Sequence, residues 1–211
     1  MTETPPAPNR IWLSLIVGCA LALPAGWLLA TLAVLPMFLG LFFFLLFGLL
    51  IGAIMFRFGR AARPAPRSKL IAVGCMASLV VWAVALVTEY RNFPTDAAKA
   101  VRDSFPSRSF VKTDLERIRH ETHRHVLKQL KEDYSPGGFV GYLRWAATDG
   151  TLKCPRIFGQ DTATYQLHQR GVMWIIRVVL SLVMVGFTTI TQFIGLAESP
   201  KSDDQVDENE Q

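Results

Sequence analysis

A histidine cluster, one arginine inside an apolar stretch and a lone cysteine beside a proline are the residues of this chain whose chemistry needs weighing first. His120, His123 and His125 lie close together, with Glu116 one helical turn before His120. At about 100° per residue, Glu116, His120 and His123 share a helix flank, so a metal ion there would meet one carboxylate and two imidazoles. The zinc-protease spacing needs its second histidine at position 124, which is Arg124. Arg117, Arg119, Lys128 and Lys131 also surround the cluster and repel a cation, so a solvated, pH-responsive basic helix is expected, with no metal and no cofactor.

Near the end of the chain, Arg177, Ser181, Thr188, Thr191 and Gln192 fall within about a third of a helix circumference and form one polar stripe. Polar groups in hydrocarbon face a bundle interior or a wet cavity, which makes an intramembrane arginine a functional suspect. The simpler expectation is that the hydroxyls and the amide hydrogen-bond across helices while Arg177 snorkels to the membrane surface. A transporter would place ionisable groups on several spans, and the other apolar stretches have none. Cys154 and His168 have the types of a nucleophile and its base, but a single cysteine followed by Pro155 carries little weight. No glycine-rich phosphate loop and no paired carboxylates within a span are present, so a non-enzymatic protein is expected.

The elements that position these residues follow from composition. Of 211 residues, 51% are hydrophobic and 18% charged, with a mean hydropathy of +0.29, which excludes a disordered chain, a disulfide scaffold and an ordinary soluble enzyme. Charge is absent from the 46 residues between Arg10 and Arg57, the 19 between Lys69 and Glu89, and the 20 between Arg177 and Glu198. A hydrocarbon core of about 30 Å needs roughly 20 apolar residues per helix, so the first run holds two spans. The expected fold is an all-α integral membrane protein with four transmembrane helices and a small, mainly helical extracytoplasmic cap between the third and fourth. The first two helices occupy 11–56, Ile11 to Val34 and Met37 to Phe56, with a turn at Pro36 and a kink at Pro24. The third spans 70–88, Leu70 to Thr88, and the fourth lies within 172–197, from Trp174 to Leu196.

Orientation follows from the short loop 57–69, whose Arg57, Arg60, Arg63, Arg67 and Lys69 have no acid among them. Bases in short loops stay in the cytoplasm, which puts both termini there and 89–171 outside the inner, or plasma, membrane. Trp12, Tyr90 and Trp174 then sit at the two interfaces. A lipoprotein-type cleavage before Cys19 is weighed and set aside, because the chain stays apolar after it. Residues 1–10 and the acidic 198–211 read as disordered tails. The net charge of +5 sums separate regions, +5 in the loop, −5 in the acidic tail, +4 in the cap and +1 from Arg177, and gives no case for nucleic acid. The loop instead suits anionic lipid headgroups.

Within the cap, Thr113-Asp114-Leu115-Glu116 reads as a capping box for a helix to Asp133, with Leu115, Ile118, Thr122, Val126 and Leu130 on one face. A shorter helix from Phe139 to Ala147 presents Phe139, Tyr142, Leu143 and Ala146, and Thr151 to Cys154 and Thr162 to Leu167 pair as strands. The segment Gly138-Phe139-Val140-Gly141-Tyr142-Leu143, followed by Gly150 and a Trp-containing last span, resembles uncharacterised multi-spanning bacterial membrane proteins with a Gly-Tyr-Leu segment before their last helix. That resemblance implies no activity. Physically, Gly138 and Gly141 allow close backbone approach, and Phe139, Tyr142 and Trp145 are expected to dip into the headgroup layer.

The strongest pattern is Ser14, Gly18, Ala22, Gly26 and Ala30 at every fourth position, joined by Gly48 and Gly52 in the second span. Small residues at this spacing let membrane helices pack backbone to backbone, within the bundle or between copies. Two function classes follow. One is partner binding, assembly or envelope sensing through the cap, with a membrane protein or a second copy as partner. The alternative is a small transporter or channel lined by the polar stripe.

Overall fold

The computed structural model describes residues 9–32, 37–59, 66–104, 111–154 and 163–195. These form α1 (Asn9–Leu32), α2 (Met37–Gly59), α3 (Arg67–Asp103), α4 (Lys112–Asp133), α5 (Gly138–Ala147), β1 (Thr151–Lys153), β2 (Thr164–Gln166) and α6 (Val172–Ile194). Helices α1, α2, α3 and α6 are long and apolar enough to cross a membrane, and they suggest a multi-pass membrane protein. The turn at Pro36, Arg60 and Arg63 of the basic loop, and the tails 1–8 and 198–211 lie outside the described residues.

Most expected elements form, and the differences have physical causes. Asn9 and Arg10, expected in a tail, are the first residues of α1. Helix α3 does not stop at Thr88 but runs 37 residues to Asp103 with Pro94 inside it. Glu89 marks the end of the apolar stretch, not of the helix. Phe93, Ala97 and Val101, spaced by four, continue a buried face beyond it. The capping box does not form: α4 begins two residues earlier, at Lys112, with Val111 in place of Thr113 as N-cap and no side-chain cap bond. The amides of Asp114 and Leu115 bond the Val111 carbonyl instead, at 2.9 and 3.2 Å. Ile118, Thr122, Val126 and Leu130 are buried as their spacing requires, whereas Leu115 in the first turn is exposed. The strands pair antiparallel as β1–β2, shorter than expected, with Leu152 opposite Tyr165.

The chain divides into two compact units, both discontinuous in sequence. The first comprises 1–25, 43–82 and 182–211. In it α2 and α6 cross at glycines. A Cβ at Gly48 would collide with Thr188 Oγ1 and stand 3.0 Å from the Val185 carbonyl oxygen, and one at Gly52 would meet Gln192 Cβ at 2.8 Å and the Thr189 carbonyl at 3.0 Å. Thr189 Oγ1 donates to the Gly48 carbonyl at 3.2 Å, tying the backbones together. Gly18 of α1 receives the Met55 side chain of α2, and Ser14 and Ala22 are fully buried.

The second unit comprises 26–42 and 83–181. Its centre is aromatic. Phe93 lies 5.2 Å from Tyr142, 4.6 Å from Trp145 and 5.6 Å from Tyr165, ring centre to ring centre. Trp145 Nε1 donates to the Thr151 carbonyl at 2.9 Å, so the largest buried side chain has its polar atom satisfied. Helix α5 therefore turns Tyr142 and Trp145 into this core, and they are not the surface rings the sequence suggested. Phe139 and Leu143 are half-buried at its edge. Gly141 permits the close approach of α5 to the end of α4, since a Cβ would lie 2.7 Å from the Tyr134 carbonyl oxygen. Gly150 is required doubly: its φ is +57°, and a Cβ would collide with that of Arg170.

Glycines with and without neighbours give an internal comparison. Gly48→Ala and Gly52→Ala should each lower stability by about 1–3 kcal/mol through forced separation of α2 and α6, while Gly40→Ala and Gly186→Ala, which meet nothing within 4 Å, should leave it unchanged or slightly higher. Thermal midpoints of the four variants in one detergent check this, and equal losses at all four positions would refute the close crossing.

Candidate functional site

Among the described residues, a buried ion pair in the second unit joins the two charges that bound apolar stretches. Glu89 follows the span of α3, and Arg177 stands one and a half turns into α6. Arg177 Nη2 donates to Glu89 Oε1 and Oε2, both at 2.7 Å, and each side chain is only 14% exposed. Tyr142 Oη and Trp174 Nε1 also donate to Oε1, at 3.0 and 3.2 Å. Four donor contacts from three side chains thus surround one carboxylate. Arg177 does not reach outward alone, as snorkelling would have it, because a carboxylate 88 residues away in sequence holds its head.

Burial of this pair works on its neighbours. The Tyr142 phenol is pushed well above its ordinary range by desolvation first, and then by the negative charge and hydrogen bond of Glu89, with Arg177 opposing. Tyr165 is raised by its own burial and by the charges of Asp96 and Glu89. Both phenols therefore hold their protons in alkali that would ionise an exposed tyrosine.

Above the pair opens a cleft of about 550 Å³. It is lined by the face of α3 that carries Glu89, Asn92, Asp96 and Lys99, by Tyr165 to Gln169, and by Ala30 and Thr31 of α1. Asp96 and Lys99 pair at 2.9 Å along α3. Gln169 Oε1 is buried and accepts no hydrogen bond. This volume and mixed lining suit a small ligand or a partner's side chains.

The structure scatters the other sequence candidates. Glu116, His120 and His123 are exposed on α4, and among the described residues no three His, Cys, Asp or Glu side chains gather to hold a metal ion. His125 Nε2 lies 3.1 Å from the Lys153 carbonyl. Cys154 is buried with its thiol pushed up by desolvation, the wrong direction for a nucleophile, while His168 is exposed on the cleft wall. The polar stripe of α6 divides. Ser181 and Thr188 are buried and bond the Val178 and Met184 carbonyls of their own helix at 2.8 Å, whereas Thr191, bonded likewise to Phe187, and Gln192 are exposed. Gly26 and Ala30 of the small-residue stripe are buried, and Ala30 lines the cleft. Sequence reading named Arg177 but missed Glu89, treated only as a loop's first residue. The signal was present: the two charges that bound the third and fourth apolar runs have opposite sign. It also missed Thr189, which makes the cross-helix bond that the neighbouring stripe residues do not.

No family model, curated protein or solved structure matches the chain.

Two measurements probe the site. Removing one member of the pair leaves a charge buried without its partner, so Glu89→Gln or Arg177→Gln should each destabilise the protein by about 3 kcal/mol, and the double variant by clearly less than the sum. Denaturant midpoints of the three variants check this, and strict additivity would show that the residues do not interact. In alkali, a phenol whose folded pKa is raised contributes stability that is complete below the unfolded value of about 10 and is lost as pH rises beyond it. Phenolate absorbance of the native protein should accordingly lack the contributions of Tyr142 and Tyr165 until the chain unfolds. An early, non-cooperative rise from both rings would contradict their burial.

Proposed function

We propose that this is a four-span protein of the inner, or plasma, membrane, with both termini cytoplasmic and residues 89–171 outside, and that it binds a partner or senses the envelope through this cap without catalysis. Support for insertion comes from the outer faces of the long helices. Large apolar side chains such as Trp27, Phe42, Leu50, Leu79, Val183 and Phe187 are exposed there, far more apolar surface than a monomer in water sustains. Orientation rests on the basic loop, whose Arg57, Arg67 and Lys69 are exposed and free to meet anionic headgroups.

The observation that carries recognition is the cleft: a recess of mixed polar and apolar lining beside the aromatic core, with the buried ion pair among its lining residues. The occupant is a membrane protein partner, a second copy of the chain or a small envelope molecule, and nucleic acid has no place in this reading. The transporter alternative has weaker support, because the hydroxyls of the α6 stripe are already bonded to their own helix and its last residues face outward.

Fusions to an enzyme active only outside the cytoplasm should be active at Lys131 and silent at Arg63, and the reverse pattern would invert the topology. A photoreactive residue at Gln166, on the cleft wall, should give a discrete cross-link in intact cells, whereas one at Glu116, away from it, should not. Cross-links from neither position, together with solute flux through the purified protein, would favour the transporter.

A further inference from the structure

The walls of the cleft narrow what it takes, if the reading of this unit as a recognition module is accepted. Their charges cancel: Glu89 pairs with Arg177 at 2.7 Å and Asp96 with Lys99 at 2.9 Å. An entering ion would meet no net charge of opposite sign and would compete with pairs already formed. What remains unused is hydrogen-bonding capacity. Arg177 makes both bonds to Glu89 through Nη2, leaving the N–H groups of Nε and Nη1 without a partner among the described residues. Gln169 also lines the cleft, although its Oε1 is itself buried without a hydrogen bond. Asn92 and Gln166 each add an amide that both donates and accepts.

The free N–H groups of Arg177 beside amides that both donate and accept call for groups that do both, and the hydroxyl is the smallest of these. The α3 wall, from Glu89 to Lys99, offers polar positions along about 15 Å of one helix face. Between them the half-buried ring of Tyr165 supplies apolar surface for C–H groups. We infer that the cleft binds an uncharged saccharide ring, either a free sugar or the glycosyl head of a lipid. Its about 550 Å³ lies within the usual range of small-ligand sites.

The test uses the full chain in an amine-oxide detergent, since glycosidic detergents would themselves compete. Probes are glucose, galactose, mannose and N-acetylglucosamine, octyl glucoside below its micellar concentration, and inorganic phosphate. The expected result is a saturable rise in thermal midpoint with at least one sugar or with octyl glucoside, weakened at least tenfold in apparent affinity by Gln169→Ala and by Asn92→Ala, whose unliganded midpoints stay near wild type. A stronger response to octyl glucoside than to free glucose would assign the glycolipid source, and the opposite order the soluble one. Absence of any saturable response to the sugars and octyl glucoside, a response unchanged in both variants, or saturable binding of phosphate instead would overturn the inference. Such a failure leaves the cross-link from Gln166 untouched, so the two readings stand or fall separately.

Discussion

A carboxylate taken out of water must be met by charge and hydrogen bonds, and at Glu89 that requirement organises the second unit. At an effective dielectric near 20 the attraction to Arg177 is worth about 4 kcal/mol, comparable with the cost of dehydrating either ion. The pair alone would barely break even. Tyr142 and Trp174 change the balance by donating to the same oxygen, so α3, α5 and α6 all converge on one atom. That convergence fixes the ring of Tyr142, against which Phe93 and Trp145 pack, and thereby sets the floor of the cleft. Specificity of arrangement, more than net stability, is what such a pair contributes.

How much of this was legible in the residues depended on range. The four long helices follow from charge-free apolar runs and the buried face of α4 from local periodicity, and both can be read without knowing what they touch. The end of α3 could not be placed from charge, because a glutamate is a good helix former and the apolar spacing of Phe93, Ala97 and Val101 continues beneath it. Thr113 failed as a cap for a different reason: the chain entered its helix two residues sooner, and backbone carbonyls satisfied the first amides.

The site itself was half legible. Arg177 stands out because charge is rare in an apolar segment, but its partner lies on another helix and pattern alone does not choose among ten acids in the cap. Gly48 and Gly52 announced a close helix contact without naming α6 as the neighbour. The reversal of Tyr142 and Trp145, from expected surface anchors to core, shows why amphipathic rings are poor guides to depth. Each satisfies its polar atom as readily against Glu89 or a backbone carbonyl as against water.

Among the described elements α6 comes last in the chain, and it contributes residues to each unit. Gly48 waits 141 residues for Thr189, and Glu89 waits 88 for Arg177. At a synthesis rate of roughly 5–20 residues per second, Glu89 spends on the order of 4–18 s without its counter-ion while the chain is being made. Tyr142 follows Glu89 by 53 residues and Trp174 by 85, so the carboxylate gains its other donors late as well, while the glycine groove of α2 stands empty. Both arrangements thus stay incomplete until α6 has been made, and a chain stopped before it would expose both the unpaired charge and the open groove to cellular quality control.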